Sequence, residues 1–303
     1  MTSNGTRFEL DYVLTVITTL DFILEPFFLF LALTKSTPSM WFYRIFLIAI
    51  SLCNCAFSIV FFLLSAKFIP IDDAVCLISS HFALRSGRVL WQLSMFFMMI
   101  QFQIVLLMLI YSSYEISHPL RPLNWRSKAV ILAVFVFIFL PASLVLILEQ
   151  QVVTNVTCLN LSTNLSTLFL FGYFVLYFSS YITVSAISVN KIRRVRHLTS
   201  QISYASIRLV KTVVANFTIT TTIVVLLANT PVIVALGFSV VISKGAGAAA
   251  FRIGSKFVAS YALITTITSI LIFVPYRRYT RQLIQRIIPC KGRSNTVGIF
   301  AIY

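Results

Sequence analysis

The sequence predicts an all-α membrane protein: a bundle of seven transmembrane helices with its N-terminus outside and its C-terminus in the cytoplasm. Three observations carry that reading. Of the 303 residues, 59% are hydrophobic and only 11% charged, against about a quarter charged in soluble domains, which leaves too little polar surface for a protein dissolved in water. Seven apolar runs are each long enough to cross about 30 Å of hydrocarbon as a helix. The cationic residues gather in the alternate loops between them.

The runs lie at about 11–34, 45–66, 89–113, 129–149, 166–189, 212–242 and 257–275. They divide the chain into an extracellular tail (1–10), a transmembrane domain (11–275) and a cytoplasmic amphipathic helix and tail (276–303). The start of the chain holds Glu9 and Asp11 and lacks the positive start and cleavage site of a signal peptide, so the first run is expected to stay as an uncleaved anchor. In the sixth run, Asn229-Thr230-Pro231 removes a backbone donor and should kink the helix.

Orientation follows from the basic residues. Seventeen Lys and Arg fall on one side, including Arg121, Arg193, Arg196, Arg208, Lys211 and Arg277, and seven on the other. The richer side is cytoplasmic by the positive-inside rule. The net charge of +16 therefore reads as a topology signal and a contact with anionic lipid, not as a nucleic-acid surface. Glycosylation triplets agree: Asn155, Asn160 and Asn164 each begin an Asn-x-Ser/Thr in the loop after the fourth run, and Asn4 begins another near the N-terminus. A plain polar loop rich in Asn and Thr is the alternative reading of that cluster.

Five cysteines are too few and too scattered for a disulfide scaffold or a zinc site. Cys76 and Cys158 both fall in loops on the oxidising side, so they form the one pairing that compartment allows; two unpaired thiols are the alternative. Within the first run Asp21 and Glu25 stand four residues apart on one helix face. Because carboxylates facing lipid are costly, that face should look into the bundle, towards Asn54 in the second run and Thr265, Thr266, Thr268 and Ser269 in the seventh. A structural polar knot, a ligand or cation contact and a proton pathway all fit that pattern.

Two short motifs carry a resemblance. Ile116-x-His118-Pro119-Leu120-Arg121 after the third run resembles the start of the second cytoplasmic loop of rhodopsin-like and odorant-type receptors, with Tyr111-Ser112-Ser113 in the register of their Asp-Arg-Tyr triplet. Pro275-Tyr276-Arg277 after the seventh run looks like the nematode seven-helix chemoreceptors of the serpentine-receptor classes. The resemblance implies a chemosensory, odorant-like receptor coupled to a heterotrimeric G protein, in the plasma membrane of a sensory cell. It implies a small-molecule ligand between the outer halves of the third, fifth, sixth and seventh helices, within reach of Trp91, Gln92, Met95, Phe96, Asn229 and Tyr261, although such residues also serve as packing. It further implies a G-protein cleft lined by His118, Arg121, Arg193, Arg196, Arg208, Lys211 and Arg277, residues that equally fit topology anchoring. Cys290 beyond the amphipathic helix fits palmitoylation or a free thiol.

Neither a cofactor motif, a metal-ligand pair nor a catalytic constellation is present: His81, His118 and His197 lack partners at recognisable spacing. A small-molecule transporter or ligand-gated channel is the competing class. The absence of a repeat relating the first and last three runs counts against a carrier.

Overall fold

The computed structural model describes residues 4–37, 40–64, 66–71, 74–79, 84–117, 127–155, 158–160, 165–195 and 204–287. Among these residues seven crossings are long and apolar enough to span a bilayer, at Tyr12–Thr34, Trp41–Leu64, Gly87–Glu115, Lys128–Leu148, Leu168–Lys191, Thr212–Phe238 and Gly245–Ile272. They are built from α1 (Asn4–Thr34), α2 (Trp41–Leu64), α3 (Leu84–Ser117), α4 (Lys128–Val152), α5 (Leu165–Val195), the pair α6 (Tyr204–Ile223) and α7 (Thr230–Val241), and α8 (Lys244–Ile272), with α9 (Val274–Ile287) after the last crossing.

The interior is largely apolar, as in a soluble domain, but the outer face is apolar too. α3 is the most deeply buried crossing and α4 the least, and Ile131, Leu132, Phe135 and Ile147 of α4 point outward. The side chains turned inward include Asp21, Glu25, Asn54, Gln101, Gln103, Asn216 and Asn229, each almost wholly buried. Hydrocarbon offers a polar group no partner, so such residues are confined to the bundle interior.

Among the described residues four short strands lie outside the crossings at one end of the bundle: β1 (Ala66–Ile71), β2 (Ala74–Ser79), β3 (Val153–Asn155) and β4 (Cys158–Asn160). They form an antiparallel sheet in the order β1-β2-β4-β3. The sheet packs through β1 and β2 against α8, and through β2 against α3. We call this the sheet end and the opposite one the tail end.

Two boundaries differ from the sequence reading. The last crossing starts at Gly245 rather than 257, because the Gly/Ala-rich stretch 245–250 and its cations Arg252 and Lys256 are helical. Consequently α7 and α8 are joined by Ile242 and Ser243 alone, with Ser243 Oγ accepting from the Ala246 N–H at 3.2 Å as an N-cap. At the other end of the chain α1 begins at Asn4, ahead of the apolar run.

In the sixth crossing, Val224–Asn229 form a π-helical turn between α6 and α7. Pro231 has no N–H to continue the α-helical ladder. The ladder instead takes in one extra residue: the Thr230 backbone N–H donates to Val225 O, and the Thr230 hydroxyl donates to the same oxygen at 2.8 Å. The expected kink is thus accommodated as a widened turn. Gly254 of α8 faces it closely, since a Cβ added there would lie 3.1 Å from Pro231 Cβ. Replacing Gly254 by Val should cost about 1–3 kcal/mol through overpacking, read as a lower unfolding midpoint in detergent; an unchanged midpoint would show that α7 and α8 separate freely.

Candidate functional site

The polar groups of α1, α2, α3 and α8 converge on Glu25. Its Oε1 accepts from Asn54 Nδ2 at 2.7 Å and from the Thr266 hydroxyl, and its Oε2 accepts from Ser51. Asn54 Oδ1 accepts from Gln101 Nε2, and Gln101 Oε1 accepts from the Tyr261 hydroxyl. One turn away Ser58 donates to Asp21 Oδ2, while Asp21 Oδ1 has no partner. These described partners are all neutral, so the network is a set of interhelical clamps that solvate the carboxyl groups in place of water.

The cluster of Asp21, Glu25 and Asn54 thus takes in Thr266, as the sequence suggested, together with three groups it did not. Ser51, Ser58 and Gln101 were legible only as polar residues inside apolar runs, and hydroxyl groups in membrane helices commonly bond their own backbone instead. Thr265 does so, donating to Ala262 O at 2.8 Å. Tyr261 lies elsewhere than the ligand reading put it. It is fully buried, holds Gln101, and packs its ring on Phe57 and Phe102 at 5.6 and 6.1 Å between centroids.

Towards the sheet end lie two small cavities. One, about 30 Å3, is lined by Phe57, Phe61, Trp91, Ser94, Met98 and Val258 among others, with Pro231 and Gly254 in its wall. The second, about 40 Å3, lies towards α4 and α5 against Val145, Leu170, Phe174 and Leu236. Trp91, Met95, Val232 and Phe251 belong to both walls.

Of the expected ligand contacts, Trp91 and Met95 line the cavities. Phe96 packs instead on Phe97 and Phe139 at 6.0 and 6.3 Å. Gln92 has its Nε2 buried without a partner. Asn229 is three residues before Val232, on the same face of the sixth crossing; it is 2% exposed and neither atom of its amide has a partner.

At the tail end, Tyr111 occupies the register of the absent Asp-Arg-Tyr triplet. It meets the rings of Phe42, Tyr43 and Phe46 at 5.8, 6.3 and 6.1 Å, and Tyr43 donates to Glu115 Oε2 at 3.0 Å. An aromatic cluster and a hydrogen bond to an acid therefore join α2 to α3 there. Pro275-Tyr276-Arg277 opens α9. Tyr276 is buried, its hydroxyl sharing a hydrogen bond with Ser36 at 2.7 Å and its ring set edge-on to Phe28; burial raises its pKa above the usual phenol value, with the Ser36 bond opposing. Lys35 stands 4.4 Å over the Tyr279 ring, and Arg277 is exposed, reaching Leu271 O at 3.4 Å.

A family model for the serpentine type 7TM GPCR chemoreceptor Srd matches residues 10–188. The chain belongs to that family. The receptor's fold is also that of squid rhodopsin, whose crystal structure superposes with a TM-score of 0.69 at 12% identity over 97% of this chain and 90% of that one. No curated protein matches the receptor's sequence significantly.

The remaining sequence-derived positions sort by element. Cys76 on β2 and Cys158 on β4 are directly paired in the sheet register. Asn4 lies on α1, Asn155 on β3, Asn160 on β4, Arg193 on α5, and Arg208 and Lys211 on α6. His118, Arg121, Asn164, Arg196 and Cys290 lie outside the described residues. Among the described residues no group of three or more His, Cys, Asp or Glu is arranged to hold a metal.

The network makes a sharp prediction. Replacing Asn54 by Leu leaves Glu25 and Gln101 without their shared partner, which should cost about 1–3 kcal/mol. Adding Gln101→Leu should cost less than its effect alone, because the two residues act on one network; strict additivity in a thermal double-mutant cycle would disprove the coupling.

Proposed function

We propose that this receptor binds a small, weakly polar molecule in the paired cavities at the sheet end and signals through a heterotrimeric G protein at the tail end. The observation that carries the reading is the shared wall of Trp91, Met95, Val232 and Phe251, apolar throughout and one turn from the unpartnered amide of Asn229. Chemoreceptor family membership supports it. Asn229 lines neither cavity but lies one turn from Val232, where its buried amide offers one hydrogen-bonding group to a ligand that reaches it, which suits an alcohol, aldehyde or ketone rather than an ion.

In this reading the sheet end is extracellular. The excess of basic residues at the other end and the triplets at Asn155, Asn160 and Asn164 support that orientation. Ligand shifts a two-state equilibrium in the sixth crossing, whose π turn and Pro231 let its tail half swing away from α3. The opened cleft, bordered by His118, Arg121, Arg193, Arg196, Arg208, Lys211 and Arg277, admits Gα, and the basic residues also hold anionic lipid. Asn4, Asn155, Asn160 and Asn164 carry glycans, Cys290 an acyl chain, and the receptor sits in the plasma membrane of a sensory cell.

Directly opposed Cα atoms in an antiparallel sheet stand about 4.5–5.5 Å apart, within the span a disulfide bridges. The register therefore supports a Cys76–Cys158 bridge that fixes the sheet over the cavities. Mutating either cysteine to Ala should lower the unfolding midpoint, and mutating both should add little to that loss. Two independent, additive losses would rule the bridge out.

The receptor mechanism is tested in a reporter line exposed to an odorant panel, with calcium or cyclic nucleotide as readout. Responses should require a cotransfected Gα, vanish in Val232→Trp, and lose about tenfold in potency in Asn229→Ala, the equivalent of one hydrogen bond. Currents that persist without Gα would favour a ligand-gated channel.

A further inference from the structure

We infer that small uncharged lipophilic molecules reach these cavities from the bilayer, through a groove between α7 and α8 that Pro231 and Gly254 separate from the interior. The inference rests on the reading of the cavities as a ligand site. The groove has a volume of about 580 Å3. Leu226, Val234 and Phe238 wall it on one side and Ala250, Ile253 and Phe257 on the other. All of these except Ala250 are well exposed on the face that meets lipid tails.

Pro231 and Gly254 line both this groove and the inner cavity. The partition is thin because Gly254 contributes no side chain, and its place is filled by the ring of Pro231, 3.1 Å from where a Cβ would sit. It is also the part of the crossing whose backbone leaves the α-helical register, as in the i to i−5 bond of Thr230 to Val225. A small outward movement of Pro231 joins groove and cavity without breaking any of the hydrogen bonds around Glu25.

The alternative path, from water, meets the four-stranded sheet packed on α3 and α8. The lateral path selects its own chemistry. Its walls are Leu, Val, Ala, Ile and Phe, and the Thr230 hydroxyl is already given to Val225 O. An ion finds nothing there to replace its hydration shell, whereas a medium-chain alcohol, aldehyde or ketone is already concentrated in the membrane by its hydrocarbon part.

The test uses the purified receptor in phosphatidylcholine nanodiscs and a photoreactive decanol bearing an alkyl diazirine. Timed irradiation and peptide mapping should find label first on the α7 and α8 groove residues and later at Trp91 and Met95. Ala250→Phe, which narrows the groove without touching the inner cavity, should slow labelling at Trp91 and Met95 about tenfold or more and leave the plateau unchanged. Phe257→Ala widens the mouth and should speed it, giving the answer independently should the bulkier variant misfold. Inner labelling at the parent rate in both variants overturns the lateral route while leaving the cavity reading intact. Label confined to the groove at plateau in the parent overturns both, and makes the groove a lipid-facing surface only.

Discussion

Two carboxyl groups inside a membrane helix set the terms for half of this bundle. Placing Asp21 and Glu25 in α1 obliges neighbouring helices to supply donors, because hydrocarbon supplies none. Ser51, Asn54 and Ser58 on α2 and Thr266 on α8 meet that demand, and Gln101 with Tyr261 extends it to α3. Side-chain hydrogen bonds in membranes are individually modest, averaging about 0.6 kcal/mol. Their value here is directional, since each fixes the rotation of a helix that apolar packing alone would leave free to slip.

The sixth crossing answers a different demand. Pro231 removes a donor where water cannot replace it, and the chain responds by widening a turn. The same crossing holds buried polar atoms without partners at Asn216, Thr220 and Asn229. Part of its polar capacity is unspent, whereas most of that on the inner faces of α1 and α2 is committed around Glu25 and Asp21. Gly254 lets α8 approach the widened turn, so the two helices around Pro231 fit by the absence of a side chain.

The seven crossings and the inward turn of Asp21 and Glu25 were legible because both follow from solvation: length against bilayer thickness, charge against hydrocarbon. The start of α8 was not, because Gly, Ala and scattered cations between 244 and 256 read as loop by hydropathy, while helix packing favours small residues there. The strands were hidden because three to six residues leave little periodic signal. At the cavity level, Trp91 and Met95 line the walls, whereas Phe96 and Tyr261 pack on other rings. Which face of α3 or α8 a ring takes depends on what a neighbouring helix offers, such as the Gln101 carbonyl, and no single helix encodes that.

The distribution of clamps gives the bundle a frame. α1, α2, α3 and α8 are riveted at mid-depth through Glu25, and Tyr276 with Ser36 bolts α9 to the end of α1. The sheet half of the sixth crossing is held to that frame along its length, by Gly254 against Pro231 as well as by the two-residue link of Ile242 and Ser243. A displacement near Val232 would therefore be shared with α8 through the contact of Pro231 with Gly254 rather than confined to one helix.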